Sequence, residues 1–343
     1  MQTLKAAVIG CGGIASEAHI PNCFAIPNLE LVALCDRNRS KLEAAASTFG
    51  FDALACYSDV DELCRQADIG AFLICTPVST HCQIAVKAAQ AGKHVFVEKP
   101  MATNVEEARQ MLEAATDAGV TMAVGHYLEF MPHHMHVKER IRAGDIGQVI
   151  GATIHDEIIT IKPTEGIILD LSPHYIDLLR WYFDDSRIES VFATSRFMSS
   201  DKTHLETATE IKMFFANGVI GNVDLYWVPD YRNRDGCTKH LSIIGTEGRY
   251  RTSFTTSNVE VYRANTFLSR VRGPYEFVPK FIAHPEMPVS ATSFRKELED
   301  FVNSALRRSK PKASGDTGRD VMSVISAAHK SIVEKRTVSL DEV

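Results

Sequence analysis

No stretch of about 18 apolar residues occurs in the chain, which excludes a membrane-spanning helix. The first residues, Met-Gln-Thr-Leu-Lys, run straight into a short apolar segment ending in glycine, without the apolar stretch and cleavage site of a signal peptide. A cytoplasmic protein with no membrane partner is expected. Blocks of Lys or Arg are also missing and the net charge is only −6, so nothing tracks a phosphate backbone and nucleic acid is not an expected partner. The eight cysteines form no CxxC pair. Cys11, Cys23, Cys35, Cys56, Cys64, Cys75 and Cys82 fall in the first quarter, several inside apolar runs such as 31–35 and 72–75, and Cys237 stands alone. Buried reduced thiols are therefore expected, rather than disulfides or a zinc site. A nucleophile elbow, a Walker loop and an HExxH helix are absent as well.

What is present is a rhythm. A chain of 343 residues exceeds one typical core and suggests two domains, with 45% apolar and 23% charged residues as in ordinary globular proteins. Up to residue 124 the apolar runs Ala6–Ile9, Leu29–Cys35, Ala71–Cys75, His94–Val97 and Thr121–Val124 alternate with helix-like Ser40–Phe49, His81–Ala91 and Val105–Ala118. Apolar strands without strict alternation belong in a parallel sheet covered on both faces, so residues 1–124 are expected to form a doubly wound α/β domain.

Beyond residue 146 the pattern turns to period two, in Val149–Ile161, Ile188–Met198 and Thr207–Phe215. Asn217-Gly218 predicts a hairpin with a type I′ turn, both central residues taking positive φ. A helix near Ser172–Phe183 interrupts this sheet, and Ser293–Ala305 and Thr317–Val333 close the chain. Residues 125–343 are thus expected to form an α+β domain around a large open, mainly antiparallel sheet. Its apolar open face predicts a homodimer or homotetramer.

Strand Ala6–Ile9 feeds into Gly10-Cys11-Gly12-Gly13-Ile14-Ala15, which fits G-x-G-x-x-G/A with Ala15 last. Gly10 permits the tight turn, Gly12 lets the backbone approach a pyrophosphate, and Ala15 keeps the helix close to the sheet. Asp36 follows Gly12 by 24 residues at the end of the second strand, where a carboxylate accepts the adenine ribose hydroxyls. It would otherwise be a helix cap or turn residue. Repulsion of a 2′-phosphate by Asp36 favours NAD, while Arg37 and Arg39 leave NADP open.

Three further features invite chemistry. Lys99 in Glu98-Lys99-Pro100 ends an apolar run where parallel strands open their ligand crevice, or is an exposed lysine in a turn. Asp170 and His174, four apart, share one face if both are helical, or are a cap and a core histidine. His133, His134 and His136 follow Pro132 with no further ligand in pattern, so a solvated helix face is expected, or else a substrate contact, and a metal is not. The basic loop Arg232–Arg234 after Trp227 is surface charge or meets an anionic substrate group.

With Gly10–Ala15, Cys35-Asp36-Arg37, Thr76-Pro77 with His81, Glu98-Lys99-Pro100, Gly125-His126 with Pro132, Leu169-Asp170 with His174 and Asp177, and Gly245-Thr246-Glu247-Gly248, the chain resembles the glucose-fructose oxidoreductase, inositol dehydrogenase and rhizopine-catabolism (Gfo/Idh/MocA) family. The resemblance spans nearly the whole chain. It implies a Rossmann domain joined to an open mixed sheet, and hydride transfer between a nicotinamide cofactor and a secondary hydroxyl of a sugar, sugar phosphate, nucleotide sugar or cyclitol.

By the same resemblance His174 is the general acid/base, with Lys99 and Asp170 as its partners around the reacting hydroxyl, and Asp177 is structural. Gly10, Gly12, Gly13, Ile14, Asp36, Arg37, Cys75, Thr76, Pro77, His81, Glu98 and Lys99 would meet the cofactor. His126, Tyr127, Trp227 and Arg232 would join Lys99, Asp170 and His174 around the substrate. Some relatives instead oxidise a sugar transiently to cleave a glycosidic bond, and a few only sense the cofactor.

Departures from the family pattern are local. Thr164-Glu165-Gly166 stands where a glycine-rich run is usual, and Ser172-Pro173 replaces a Gly-x pair. Because proline suits the first helical turn, the helix is expected to start near Asp170 or Ser172. The run Gly125–Phe130 looks like that of members acting on hexose phosphates or nucleotide-linked sugars.

Overall fold

The computed structural model describes residues 2–158, 166–197, 206–227, 238–254, 259–263, 280–282 and 289–343. The chain forms two compact units: Met1–Phe130 with Ser290–Met322, and Met131–Val289 with Ser323–Val343. Where the sequence suggests a linear cut at residue 124, the segment Ser290–Met322 instead belongs with the first unit. The reason is apolar. Leu298, Phe301, Val302 and Ala305 of helix Val289–Arg307 lie in the same buried cluster as Ala6, Val8, Leu34, Leu73 and Phe96.

Six parallel strands build the first sheet: β1 (Leu4–Ile9), β2 (Leu29–Cys35), β3 (Cys56–Tyr57), β4 (Ala71–Ile74), β5 (His94–Val97) and β6 (Met122–Val124), in the order β3-β2-β1-β4-β5-β6. All four residues of β4 and the last three of β5 are buried, as a sheet covered on both faces requires. The order reverses between β1 and β4, which makes a crevice at their carboxyl ends. Two-residue β3 has no apolar run to announce it.

In the second unit the strands are β7 (Val149–Ile158), β8 (Ile188–Phe197), β9 (Glu206–Phe215), β10 (Ile220–Trp227), β11 (Lys239–Gly245), β12 (Gly248–Ser253), β13 (Val259–Arg263), β14 (Lys280–Ile282) and β15 (Val338–Ser339). Their order is β14-β13-β12-β11-β7-β10-β9-β8-β15, with β7 and β10 parallel and the other described pairs antiparallel. The β9–β10 hairpin forms, but not with the expected turn. Gly218 has φ +82°, whereas Asn217 is not among the residues of positive φ. The Gly218 N–H donates to the Phe215 carbonyl at 2.9 Å, and the Val219 N–H to Asn217 Oδ1 at 3.2 Å. This is a type I turn closed by one left-handed glycine.

The interrupting helix runs over Ile167–Tyr182, starting earlier than the sequence suggests. Gly166, at φ +81°, takes the cap position, so Asp170 is inside the first turn and Pro173 is in the helix interior. An internal proline costs about 3 kcal/mol. Ile167, Ile168, Leu171, Ile176, Leu178 and Leu179 are all buried, each contributing roughly 1.5–3 kcal/mol, and packing wins. Ser172 Oγ donates to the Ile168 carbonyl at 2.6 Å. Among the described residues no helix is long and apolar enough to cross a membrane.

Candidate active site

In the first unit, Gly10 follows β1 at φ +92°, and a Cβ there would lie 2.6 Å from the Cys75 carbonyl oxygen at the end of β4. Only glycine fits between these two strand ends. A Cβ on Gly12 would meet nothing within 4 Å, and one on Gly13 only Glu17 Oε1 at 3.6 Å. The loop therefore has an open side, as a diphosphate cradle needs. Next comes a π-helical turn, Ala15–His19, and an α-helical turn, Ile20–Cys23. Pro21 has no N–H to return to an i−4 carbonyl, consistent with the widened winding. Ile14 stays 38% exposed at the mouth of the loop.

Asp36 Oδ2 accepts the Cys11 N–H at 2.8 Å and Oδ1 accepts the Asn38 N–H at 2.7 Å. Its remaining lone pairs suit ribose hydroxyls, and its charge opposes a 2′-phosphate. Neighbouring Arg39 is drawn to Glu43 at 2.8 Å, while Arg37 is exposed. Burial, with the Asp36 charge second, pushes the Cys11 thiol up to about 12, so this loop cysteine stays protonated.

Thr76, Pro77 and His81 follow β4. The His81 ring is buried, with Nε2 2.7 Å from the Thr76 carbonyl and Nδ1 3.0 Å from the Pro100 carbonyl. His81 thus ties the Thr76 turn to the Lys99-Pro100 turn, whose peptide bond is cis. Glu98 Oε2 accepts the Lys99 N–H at 2.9 Å, and Glu98 Oε1 accepts from His19 Nε2 at 2.5 Å. Lys99 itself is part-exposed. Buried Cys75 is lifted well above its ordinary value by burial, then by Glu98 and more weakly by other neighbours, Glu297 among them.

Helix Val289–Arg307 adds to this wall. Phe294 stacks on Tyr127 with centroids 4.4 Å apart and meets the His19 ring edge-on at 5.7 Å. His126, beside Tyr127, is buried. His19, Phe294 and Glu297 escape the sequence reading. The amphipathic period of Ser293–Ala305 announces a buried face without saying what it covers.

In the second unit, twelve of the sixteen residues of helix Ile167–Tyr182 are buried. Leu169, Asp170, His174 and Trp181 are the others, each part-exposed, so Asp170 and His174 are the helix's part-exposed polar pair, four residues apart. Asp170 stands in the first turn, where the helix dipole favours a carboxylate. Asp177 is buried, with no hydrogen-bond partner for Oδ2 among the described residues. Burial, partly offset by Arg180, pushes its carboxyl up to about 7.

Tyr175, on the same helix, donates to buried Asp156 at 2.5 Å, and Lys239 Nζ lies 3.4 Å from that carboxylate. Trp227 ends β10 half-buried; Arg232 and Arg234 lie outside the described residues.

The histidines of helix Pro132–Arg142 correct an expectation. His133 and His134 are buried rather than solvated. His134 Nδ1 pairs with the Tyr182 hydroxyl at 2.9 Å, its ring packs on Phe254 at 5.1 Å, and burial holds it well below the usual histidine range. A short run of histidines does not show that this side of the helix packs on Tyr182. Among the described residues no group of three or more His, Cys, Asp or Glu could hold a metal.

Residues 4–126 match the model of an oxidoreductase family with an NAD-binding Rossmann fold, and residues 134–251 match the GFO/IDH/MocA C-terminal domain. The chain belongs to the Gfo/Idh/MocA oxidoreductase family. Its relatives include the myo-inositol 2-dehydrogenase of Thermotoga maritima, 26% identical over 99% of both chains. The scyllo-inositol 2-dehydrogenase (NAD(+)) of Bacillus subtilis is 32% identical over 71% of this chain and 72% of its own. A levoglucosan dehydrogenase solved with NADH and levoglucosan shares the fold with a TM-score of 0.84, at 22% identity over 99% of this chain and 100% of its own. As a Gfo/Idh/MocA member the chain is an oxidoreductase with NAD as cofactor. The open glycine loop and the fixed Asp36 carboxylate fit that dinucleotide.

Proposed function

We propose that this enzyme exchanges a hydride between NAD and a secondary hydroxyl or ketone of a sugar, sugar phosphate, nucleotide sugar or cyclitol. The part-exposed polar pair Asp170 and His174 on a mostly buried helix carries this conclusion, in a family with inositol dehydrogenases among its members. Gly10, Gly12 and Gly13 would hold the diphosphate and Asp36 the adenine ribose, with Ile14, Arg37, Cys75, Thr76, Pro77, His81 and Glu98 shaping the rest. Bound NAD supplies the hydride acceptor.

His174 takes the hydroxyl proton through a ring nitrogen, Asp170 orients the imidazole or binds a second hydroxyl, and Lys99 bonds the reacting oxygen. Loss of the proton from the hydroxyl oxygen as hydride leaves the carbon that bears it avoids a high-energy alkoxide. His126, Tyr127, Trp227 and Arg232 would set substrate preference. Self-association through the open face of the second sheet, where Phe192, Ile220 and Ile244 are exposed, belongs to the same reading. So does a reducing compartment, since all seven described cysteines are free.

Lys99→Met and His174→Ala should each lower kcat by about 100-fold or more while NAD still binds. Reduction of NAD across a panel of cyclitols, hexose phosphates and nucleotide sugars measures this. Normal turnover in both variants would remove Lys99 and His174 from the chemistry. Net NADH formation separates a dehydrogenase from transient oxidation that ends in glycoside cleavage.

A further inference from the structure

The first unit carries a buried acid–imidazole pair whose histidine has no part in these roles. His19, at the end of the π-helical turn after the glycine loop, is 0% exposed, and its Nε2 is 2.5 Å from Glu98 Oε1. The Glu98 side chain is 8% exposed, and its second oxygen accepts the Lys99 N–H. From these contacts we propose that His19 is a positioning residue for Lys99, acting through Glu98. The proposal rests on Lys99 bonding the reacting oxygen.

Three observations support the link. First, the carboxylate is boxed in: a Cβ on Gly125 would lie 3.2 Å from Glu98 Cδ and from both of its oxygens, so the end of β6 closes one side. His19 and the Lys99 N–H hold the oxygens on the others. Second, the imidazole is wedged edge-on against Phe96 at 5.2 Å and Phe294 at 5.7 Å, which fixes the direction of its Nε2–H.

Third, His19 Nδ1 is buried with no hydrogen-bond partner among the described residues. Such an orphan nitrogen is costly, and an apolar residue would pack between two phenyl rings without it. The donor on the other side of the ring accounts for a histidine at this position. Full burial keeps His19 from touching substrate, so its effect must pass through Glu98. A carboxylate out of water that loses one of two donors turns to find another, and the Lys99 turn moves with it.

The test compares His19→Gln with His19→Asn in the full chain, with Lys99→Met as reference. A glutamine amide reaches the position of Nε2, and an asparagine amide only that of Nδ1. His19→Gln should keep kcat close to the parent, whereas His19→Asn should lose about 10- to 100-fold, the scale of a misplacement near 1 Å. NAD binding, read by calorimetry, should be retained in both. The rate at which an acylating reagent labels Lys99, read by mass spectrometry, should change in His19→Asn alone. Equal kcat and equal labelling in the two variants, or losses that only track their melting temperatures, would overturn the proposal. Normal turnover in Lys99→Met would instead overturn the role of Lys99; an inactive Lys99→Met beside an unaffected His19→Asn would sink the proposal alone.

Discussion

Asp177 shows what burial does to a single carboxyl. Its folded-state pKa of about 7 stands above the ordinary carboxylate value near 3.9, so between about pH 4 and 7 the folded chain keeps a proton that the unfolded chain has released. Stability from this group is therefore complete at low pH, falls as pH rises through that window and is flat above it. Asp177→Asn removes the titration. Its unfolding free energy relative to the parent should grow between about pH 4 and 7, by at most about 1.4 kcal/mol per pH unit, and level off above. Denaturant melts at several pH values measure it, and parallel profiles would mean that Asp177 ionises as readily folded as unfolded. The sequence places Asp177 one turn beyond His174 and reads it as structural. It could not show the buried setting, because that comes from neighbours distant in sequence.

Single elements were the most legible level, and the misses were misses of context. β2 and β5 run over the residues their apolar runs indicated, since a short apolar run has one use in a doubly wound sheet. Helix Ile167–Tyr182 starts earlier than local rules allow because its buried face outweighs Pro173. The β9–β10 hairpin was visible in Asn217-Gly218, but turn type depends on how the strands twist into it. With only Gly218 left-handed, Gly218→Ala should cost about 1–2 kcal/mol for the strained conformation. Asn217→Ala should cost less, about 0.5–1.5 kcal/mol, for the lost bond to the Val219 N–H. Urea denaturation of the two variants decides it. Equal costs of the larger size would put Asn217 in the left-handed region as well.

For the whole molecule the linear order of the chain misleads most. The glycine loop, Asp36 and Lys99 all precede residue 100, yet the unit that bears them is completed by Ser290–Met322. No local pattern could reveal this, because an amphipathic helix states that it has a buried face and not which core receives it. Phe301 is fully buried there, its ring 5.8 Å from that of Phe96 in β5, the strand that leads into Glu98. Phe301→Ala should therefore cost about 3–5 kcal/mol, felt by the first unit although the change lies late in the chain. Denaturant titration followed by NAD binding should show binding lost in an early transition, with the second sheet melting separately and unshifted. A cost below about 1 kcal/mol would mean that the surrounding side chains collapse into the space and that the returning helix is replaceable. A single transition shifted as a whole would instead mean that the two units unfold together, and the family's two domain models would then describe one cooperative molecule.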